Sequence, residues 1–215
     1  MNIRDYFKPK LKPKSNKFGF ERGTPIDRIY IECFLEKESH HIAGNICEVA
    51  EDTYAKKFSN KNKNNTIHIL HFTEDNRNAT IIGDLTKIET LPDSTMNCLI
   101  ITQTLNFIYD VKAAIKGIHH MLAKEGIALV TVAGICQISR YDMDRWGDYW
   151  RFTDLSIKKL FCEYFDSEKI EVNTYGNVHS ANCFLQGMAA EELTDKELFY
   201  NDPNYQIIIT VKVVK

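Results

Sequence analysis

Residues 140 to 153, RYDMDRWGDYWRFT, bring together side chains that could bind a ligand. Their fourteen positions hold three Arg, three Asp, two Tyr, two Trp and one Phe. Aromatic faces stack against sugar rings or bases, and guanidinium forks bind phosphate or carboxylate through paired hydrogen bonds. Large rings also gain most from burial, so a cap that packs its rings and neutralises Arg with Asp is the alternative. The segment predicts either a binding wall or such a cap.

The same segment contains Asp142-Met143-Asp144, a D-x-D sequence. Metal-dependent glycosyltransferases use such a pair to hold a nucleotide-sugar diphosphate through a divalent cation. The motif is three letters long, and no other cluster of oxygen ligands accompanies it in the sequence. We therefore expect no metal, and a metal-dependent glycosyltransferase is retained as a second alternative.

The composition is that of one soluble globular domain. The chain has 215 residues, of which 44% are hydrophobic and 26% charged, and its net charge is −2. Such a chain can bury a sizeable core but has no general attraction for nucleic acid or anionic membranes. No apolar run approaches the roughly 20 residues of a membrane span, and the start lacks a secretory apolar stretch. We expect a cytoplasmic protein with no membrane span and no nucleic-acid partner, and its six dispersed cysteines are expected to be reduced.

The order of predicted elements indicates an α/β fold. Residues 1 to 17 are basic and contain two prolines, which predicts a flexible arm before a single domain over 18 to 215. Strands are expected over 45–50, 66–72, 79–85, from 96, and over 126–135, 170–176 and 205–215. Helices are expected over 25–38, 111–126 and 155–165, and residues 184 to 193 could form one more. The alternation predicts a three-layer, doubly wound, mostly parallel seven-stranded sheet with an antiparallel edge strand.

The carboxyl ends of the predicted strands are the expected ligand site. In sheets of this kind ligands bind where the strands end. The residues to consider are 48–52, 73–75, 84–85, 102–106 and those from 134 onward. The segment RYDMDRWGDYWRFT follows the fifth predicted strand, so it should overhang this site.

Several stretches of the predicted domain resemble class I S-adenosylmethionine-dependent methyltransferases. NICEVAEDTY is similar to the first strand and cofactor loop of that family. The tract IIGDLTKIETLPDSTMNCLIITQTL, followed by a helix and LAKEGIALVTV, is similar to the rest of its core. FGFERGTPIDRIYIE and QISRYDMDRWGDYWRFT together resemble a bacterial subgroup associated with polysaccharide and glycosyl-transfer systems. The resemblance implies a Rossmann-like fold and S-adenosylmethionine as the cofactor.

The cofactor loop departs from the pattern of that family, in which an acidic residue precedes a G-x-G sequence. Here the loop reads EVAEDT and contains no glycine. By the resemblance, Glu48 would hold the methionine end of the cofactor, directly or through water, and Ala50 and Glu51 would border it. Ala50 stands at the first glycine position, where alanine is tolerated unless φ must be positive. The departure implies weaker cofactor binding or an inactive protein, whereas the intact remainder of the core pattern favours a working enzyme.

The resemblance implies further cofactor contacts at the next strand ends. Glu74, with Thr73 beside it, would accept hydrogen bonds from the ribose hydroxyls, although the strand register is left open. Asp84 would meet the adenine amino group, and the backbone of Leu85 would lie beside the ring. Two residues after the fourth predicted strand would face the sulfonium and its methyl group, namely Thr102 and Gln103.

The acceptor is expected to bind between the segment 140 to 153 and the start of the first helix. A hydroxyl acceptor needs a base or an orienting group in line with the methyl group. Asp142 and Asp144 are the candidate bases, Tyr141 could position the oxygen, and His179 is a further candidate base unless it is a turn histidine. Candidate substrate-binding residues are Arg22, Asp27, Arg28, Tyr30, Arg140, Arg145, Trp146 and Tyr149. The first four could equally serve as a capped helix start with ion pairs. Trp150, Phe152 and Arg151 are expected to be structural.

The resemblance implies a methyltransferase, and its acceptor is expected to be a small molecule. The expected reaction is methylation of a hydroxyl, or less readily an amine, on a sugar or a phosphorylated or nucleotide-linked precursor of a surface polysaccharide, in a possible homodimer. S-adenosylhomocysteine would be the product of the cofactor. The first alternative is a catalytically degenerate scaffold in a glycosylation complex, which the glycine-free loop motivates.

Overall fold

The computed structural model describes residues 11 to 215, and a seven-stranded sheet forms its centre. The strands are β1 (Asn45–Val49), β2 (Thr66–His71), β3 (Ile81–Ile82), β4 (Met96–Thr102), β5 (Leu122–Ala133), β6 (Ile170–Tyr175) and β7 (Ile208–Val214). Their order is β3-β2-β1-β4-β5-β7-β6. Neighbours from β3 to β5 pair in parallel, whereas β7 runs antiparallel to both β5 and β6. The predicted mostly parallel α/β sheet is confirmed, with the antiparallel strand one position in from the edge.

Helices cover both faces of the sheet. They are α1 (Ile26–Lys37), α2 (Thr53–Phe58), α3 (Val111–Met121), α4 (Arg140–Met143), α5 (Asp154–Phe161), α6 (Val178–Leu185) and α7 (Asp195–Phe199). Side chains of β4 alternate between the faces, so that Leu99 and Ile101 join one apolar cluster with α3 and α5. Cys98 and Ile100 join a second cluster with α1, α2 and α6. The sheet and the helices packed on its two faces through these clusters form the three predicted layers.

Several element boundaries differ from the sequence-based expectation, and the largest differences involve three elements. Helix α3 ends at Met121 rather than at Gly126, because Leu122 takes extended backbone angles and pairs with Met96. Gly126 instead allows a close backbone approach, since a Cβ there would lie 2.7 Å from the Met96 carbonyl oxygen. The third strand is confined to Ile81–Ile82. In place of one helix over 184–193, α6 ends at Leu185 and a 3₁₀ turn covers Ala190–Glu192.

The chain before α1 packs against the turn after α6. The backbone N–H groups of Lys14 and Ser15 both donate to the carbonyl of Gln186, and Ser15 is buried. Gly187 permits this contact, because a Cβ there would lie 2.3 Å from the Ser15 carbonyl oxygen. Of the arm predicted over 1 to 17, residues 1 to 10 lie outside the described part, and residues 14 to 17 belong to the packed region. No helix within residues 11 to 215 has both the length and the apolar character needed to cross a membrane.

Candidate functional site

A cavity of about 710 Å³ lies where the parallel strands end. Its lining comes from the ends of β1 to β5 and the residues that follow them, from the start of α1, from Phe184 on α6, and from Phe18 and Phe20 before α1. This is the position at which doubly wound sheets bind ligands. The volume falls within the roughly 300–1,000 Å³ of typical small-molecule sites.

The first side of the cavity, which we call the strand-end wall, consists of residues directly after β1, β3 and β4. Six residues predicted to contact a cofactor form it: Ala50, Glu51, Asp84, Leu85, Thr102 and Gln103. The carboxylate of Asp84 is fixed by the turn that follows it, because its Oδ1 accepts hydrogen bonds from the backbone N–H and the hydroxyl of Thr86, at 2.9 and 2.8 Å. Oδ2 lies 3.7 Å from Lys87 Nζ. The topology therefore brings these six predicted residues together.

Two residues of the strand-end wall have left-handed backbone angles that disfavour side chains. Ala50 has φ +73° and Gln103 has φ +50°, a conformation that costs an L-residue about 1–2 kcal/mol. The sheet holds both in place. The Ala50 N–H donates to Leu70 O at 2.9 Å, and the Gln103 N–H donates to Thr131 O at 2.9 Å. From the sequence, alanine at this glycine position was expected to be tolerated unless φ had to be positive. Ala50 does have a positive φ, so its backbone is strained.

Glu48 does not reach the cavity. Its side chain is 1% exposed, and its oxygens accept hydrogen bonds from the backbone N–H groups of Tyr54 and Ala55, at 3.3 and 2.7 Å. Burial raises the pKa of the Glu48 carboxyl to about 7, and the two N–H bonds offset part of that rise. Glu48 secures the first turn of α2 beneath the loop and does not line the cavity, so of its two predicted modes of holding the methionine end, direct or through water, the one through water stays a prediction.

The second strand ends earlier than the sequence suggests, which changes the residues at its end. Thr73 and Glu74 are not among the lining residues, whereas His71 and Phe72 are. The Thr73 N–H and hydroxyl lie 3.3 Å from His71 Nδ1, and its hydroxyl also donates to Asp75. The strand was predicted to end at Phe72, one residue beyond His71, and the acidic residues that follow placed the predicted ribose contact at Thr73 and Glu74.

The segment after β5 forms the other side of the cavity, and only part of it faces inward. Its lining residues between 136 and 151, the loop wall, are Cys136, Gln137, Ser139, Asp142, Trp146, Asp148, Tyr149 and Arg151. Residues 142 and 146 are one helical turn apart and share a face. Arg140, Tyr141, Asp144 and Arg145 lie outside the lining, contrary to their predicted roles. Arg145 stacks on the exposed Tyr141 ring at 3.5 Å and donates to its carbonyl, which holds both on the outer side.

A polar network organises the loop wall around Asp148. Arg151 donates to both carboxylate oxygens of Asp148, at 2.5 and 2.9 Å, and to the carbonyl of Gln137 at 2.8 Å. The backbone N–H of Ser139 donates to the same carboxylate at 3.2 Å, and the Ser139 hydroxyl lies 2.5 Å from Asp142. Arg151 is the ion-pair partner expected from the sequence. Gln137, Ser139 and Asp148 are lining residues that the sequence did not single out.

The start of α1 contributes two of its four predicted substrate residues. Asp27 and Arg28 line the cavity. Tyr30 is fully buried, where its hydroxyl donates to Leu198 O at 2.8 Å and its ring stacks on Tyr175, so it has no access to a ligand. Arg22 pairs with Glu192 on the surface and is outside the lining.

His179 and the D-x-D sequence do not form the sites suggested for them. His179 lies on α6 outside the lining, where its Nε2 is 3.6 Å from Glu197. Asp142 and Asp144 are two residues apart on a helical turn, which separates their directions by about 200°. The carboxylate pair therefore has no shared ligand position.

Within residues 11 to 215, one group of side chains has the spacing to hold a metal ion: Glu38, His40 and His41. It lies at the end of α1, outside the cavity lining. Lys212 Nζ is already 3.3 Å from the Glu38 carboxylate, which gives that carboxylate a cationic partner.

Comparison with known proteins places the fold. No protein-family model and no curated protein sequence matches the chain. Similar solved structures include a phosphoethanolamine N-methyltransferase 2 from Haemonchus contortus with bound S-adenosylhomocysteine, at 11% identity over 87% of this chain and 52% of that one, TM-score 0.56. Others are a SAM-dependent methyltransferase from Archaeoglobus fulgidus, at 8% identity over 87% and 94%, TM-score 0.55, and the N-methyltransferase NodS from Bradyrhizobium japonicum with S-adenosylhomocysteine, at 12% identity over 94% of both chains, TM-score 0.51.

The identities establish the fold alone, and the chain spans about half the length of the Haemonchus enzyme it resembles. The polysaccharide-associated subgroup has no counterpart among these three neighbours. The chain has the Rossmann-like fold of class I S-adenosylmethionine-dependent methyltransferases.

Proposed function

We propose that the protein is an S-adenosylmethionine-dependent methyltransferase that acts on a small molecule. The observation that carries this proposal is the cavity at the strand ends, in which the six residues of the strand-end wall lie together opposite the loop wall. A bound S-adenosylmethionine would supply an electrophilic methyl group. The carboxylate of Asp84 would accept a hydrogen bond from the adenine amino group, and Thr102 and Gln103 would border the sulfonium end.

The strand-end wall fits such a cofactor, with one qualification at the ribose. A carboxylate on Glu51 or Asp84 can accept the hydrogen bonds of hydroxyl or amino groups, and the cavity has the size of a small-molecule site. Because β2 ends at His71, an imidazole and the Phe72 ring occupy the position where the sequence suggested an acidic residue. His71 would therefore be the ribose partner in place of Glu74.

The acceptor proposed from the sequence is a sugar or sugar-linked precursor of a surface polysaccharide, methylated on oxygen or nitrogen. The rings of Trp146 and Tyr149, which are 40% and 50% exposed at the cavity, support a sugar, because flat aromatic faces stack on sugar rings. The arginines proposed to grip phosphate, Arg140 and Arg145, are outside the lining. An acceptor without a phosphate group is therefore favoured.

Calorimetric titration with S-adenosylhomocysteine tests the proposal. We expect micromolar binding to the wild-type protein and about fivefold weaker binding to Asp84→Asn, since a hydrogen bond to a charged acceptor is worth about 1 kcal/mol more than one to a neutral acceptor. Asp93→Asn removes the same charge from an exposed site outside the cavity and should bind as the wild type does. Absence of binding at millimolar ligand would refute the methyltransferase proposal and favour the scaffold alternative, for which the strained Ala50 is the motivation.

A further inference from the structure

The charged residues around the cavity are predominantly acidic. Two guanidinium groups line it, those of Arg28 and Arg151. Six carboxylates line it as well, from Asp27, Glu51, Asp84, Asp110, Asp142 and Asp148. Among these carboxylates and guanidinium groups, the lining carries an excess of four negative charges. Charges that surround a low-dielectric cleft focus their potential within it, so this cavity attracts cations and repels anions.

Both lining guanidinium groups already have partners within the described chain. Arg151 is engaged by the Asp148 carboxylate and by two carbonyls. Arg28 donates to the Tyr54 hydroxyl at 3.0 Å. A phosphate or carboxylate on the acceptor would have to displace an existing contact at Arg151, and at Arg28 it could use only the N–H donors that Tyr54 leaves free.

Asp27 is the carboxylate best placed to meet an acceptor. It lies in the first turn of α1, and its Oδ1 accepts a hydrogen bond from the backbone N–H of Arg28 at 2.9 Å. Its Oδ2 accepts no hydrogen bond from the residues that the structure describes. Asp27 lines the same cavity as the loop wall. Burial raises the pKa of the Cys136 thiol to about 11; the Asp148 and Asp27 carboxylates add to that rise, and Arg151 opposes it. Burial also raises the pKa of Asp27 itself.

Aromatic rings line the same cavity as Asp27. Phe20, Trp146 and Tyr149 line it and remain 58%, 40% and 50% exposed, although large rings normally gain from burial. The faces of such rings attract ammonium groups by about 0.5–2 kcal/mol. A cavity lined by exposed rings and by a carboxylate with a free oxygen is suited to an organic cation.

We propose that the acceptor is a small amine, bound as its ammonium by Asp27 and the rings of Phe20, Trp146 and Tyr149, and methylated on nitrogen. This inference rests on the proposed function and selects the amine over the hydroxyl. An ammonium has no free electron pair, so it must lose a proton before nitrogen can act as a nucleophile. Asp27 Oδ2 takes that proton and leaves the N–H bonding pair on nitrogen. That pair would form the new bond to the methyl carbon as the carbon–sulfur bond breaks, and the electrons of the broken bond would stay on the sulfur of S-adenosylhomocysteine. The protonated carboxyl later returns its proton to water.

Binding measurements on matched compounds test this inference. The probes come in sets of three compounds that share a carbon frame and carry an amine, a hydroxyl or a phosphate, such as glucosamine, glucose and glucose 6-phosphate. Two further sets use a cyclohexyl frame and a two-carbon frame. Each is titrated calorimetrically into protein saturated with S-adenosylhomocysteine. We expect the amine to bind at least tenfold more tightly than its hydroxyl and phosphate partners in at least one frame. Asp27→Asn should remove that preference, whereas Glu36→Gln, which removes a charge from the exposed side of α1, should keep it.

The outcomes separate this inference from the proposed function. If S-adenosylhomocysteine binds but every amine binds no better than its hydroxyl or phosphate partner, the methyltransferase proposal stands and the amine inference fails. If the amine preference persists in Asp27→Asn, the assignment of Asp27 fails. If S-adenosylhomocysteine does not bind at all, the proposed function fails and the amine inference fails with it. Thermal unfolding of both variants establishes that they are folded before binding is compared.

Discussion

The two walls of the cavity are held in different ways. Backbone hydrogen bonds to neighbouring strands fix the strand-end wall, including its two residues with positive φ. The loop wall depends on side chains, above all on the Asp148–Arg151 pair and its links to Gln137 and Ser139. A backbone-built wall tolerates changes of side chain without moving, whereas a wall tied by side chains can be reshaped by single substitutions. We therefore expect ligand specificity to depend on the loop wall, and the strand ends to form the part of the cavity that keeps its shape.

Arg151→Ala is expected to have the largest effect on stability, because it breaks the network of the loop wall. The Asp148 side chain is 2% exposed, and removal of its partner leaves an uncompensated buried charge. Such changes cost about 3–5 kcal/mol, and the partial exposure of Arg151 places the expected loss near 3 kcal/mol. Urea unfolding at pH 7 measures it.

Arg145→Ala is the matched control for that experiment. Arg145 is exposed, contacts Tyr141 on the outer side and does not line the cavity. Its loss should change the free energy of unfolding by less than about 0.5 kcal/mol. Equal losses in the two variants would show that the Asp148 pair does not hold the loop wall.

The strand-end wall should respond instead to pH, through Glu48 beneath it. The Glu48 pKa is about 7 in the folded chain against 4.5 as the ordinary value, so between these values the folded state binds more protons than the unfolded state. The free energy of unfolding then decreases as pH rises from about 4.5 to 7, with an upper limit of about 1.4 kcal/mol per pH unit and a total near 3 kcal/mol.

Glu48→Gln tests this dependence, since glutamine keeps one acceptor oxygen for the N–H groups of α2 but has no titrating proton. Between pH 5 and pH 7.5 the wild type should lose about 2–3 kcal/mol more unfolding free energy than Glu48→Gln does. Glu36→Gln, at an exposed position of α1, should retain the wild-type pH profile. A pH-independent difference for Glu48→Gln would exclude Glu48 as the source.

The same contrast between walls explains which site residues the sequence could predict. In a parallel sheet, chain order fixes where each strand ends, so Asp84, Leu85, Thr102 and Gln103 could be placed in one cavity before the structure was known. Side-chain direction in the loop wall depends on contacts distant in sequence. Trp150 Nε1, for example, donates to the carbonyls of Ile108 and Tyr109, more than 40 residues away.

Two further residues, Tyr30 and Glu48, differ from their predicted placement for local physical reasons. Tyr30 lies on α1 close to the lining residues Asp27 and Arg28, but its side chain is on another face of the helix, where it is buried against Tyr175. Glu48 matches the acidic residue of the family loop, yet the free N–H groups at the start of α2 satisfy its carboxylate. Neither contact leaves a signature in the sequence, because each joins a predicted residue to a partner whose orientation is set only by the folded chain.

Ala50→Gly should have the smallest effect on stability, and it has the opposite sign. At φ +73° glycine removes about 1–2 kcal/mol of strain and loses about 0.5–1 kcal/mol through the greater freedom of the unfolded chain. A net gain of about 0.5–1 kcal/mol in the free energy of unfolding is expected by urea titration. Ala55→Gly, the same substitution within α2, should lose about 1 kcal/mol or more. A loss of similar size at both positions would mean that the strand ends do not hold Ala50 under strain, and the distinction between a backbone-built wall and a side-chain-built wall would then lack its clearest support.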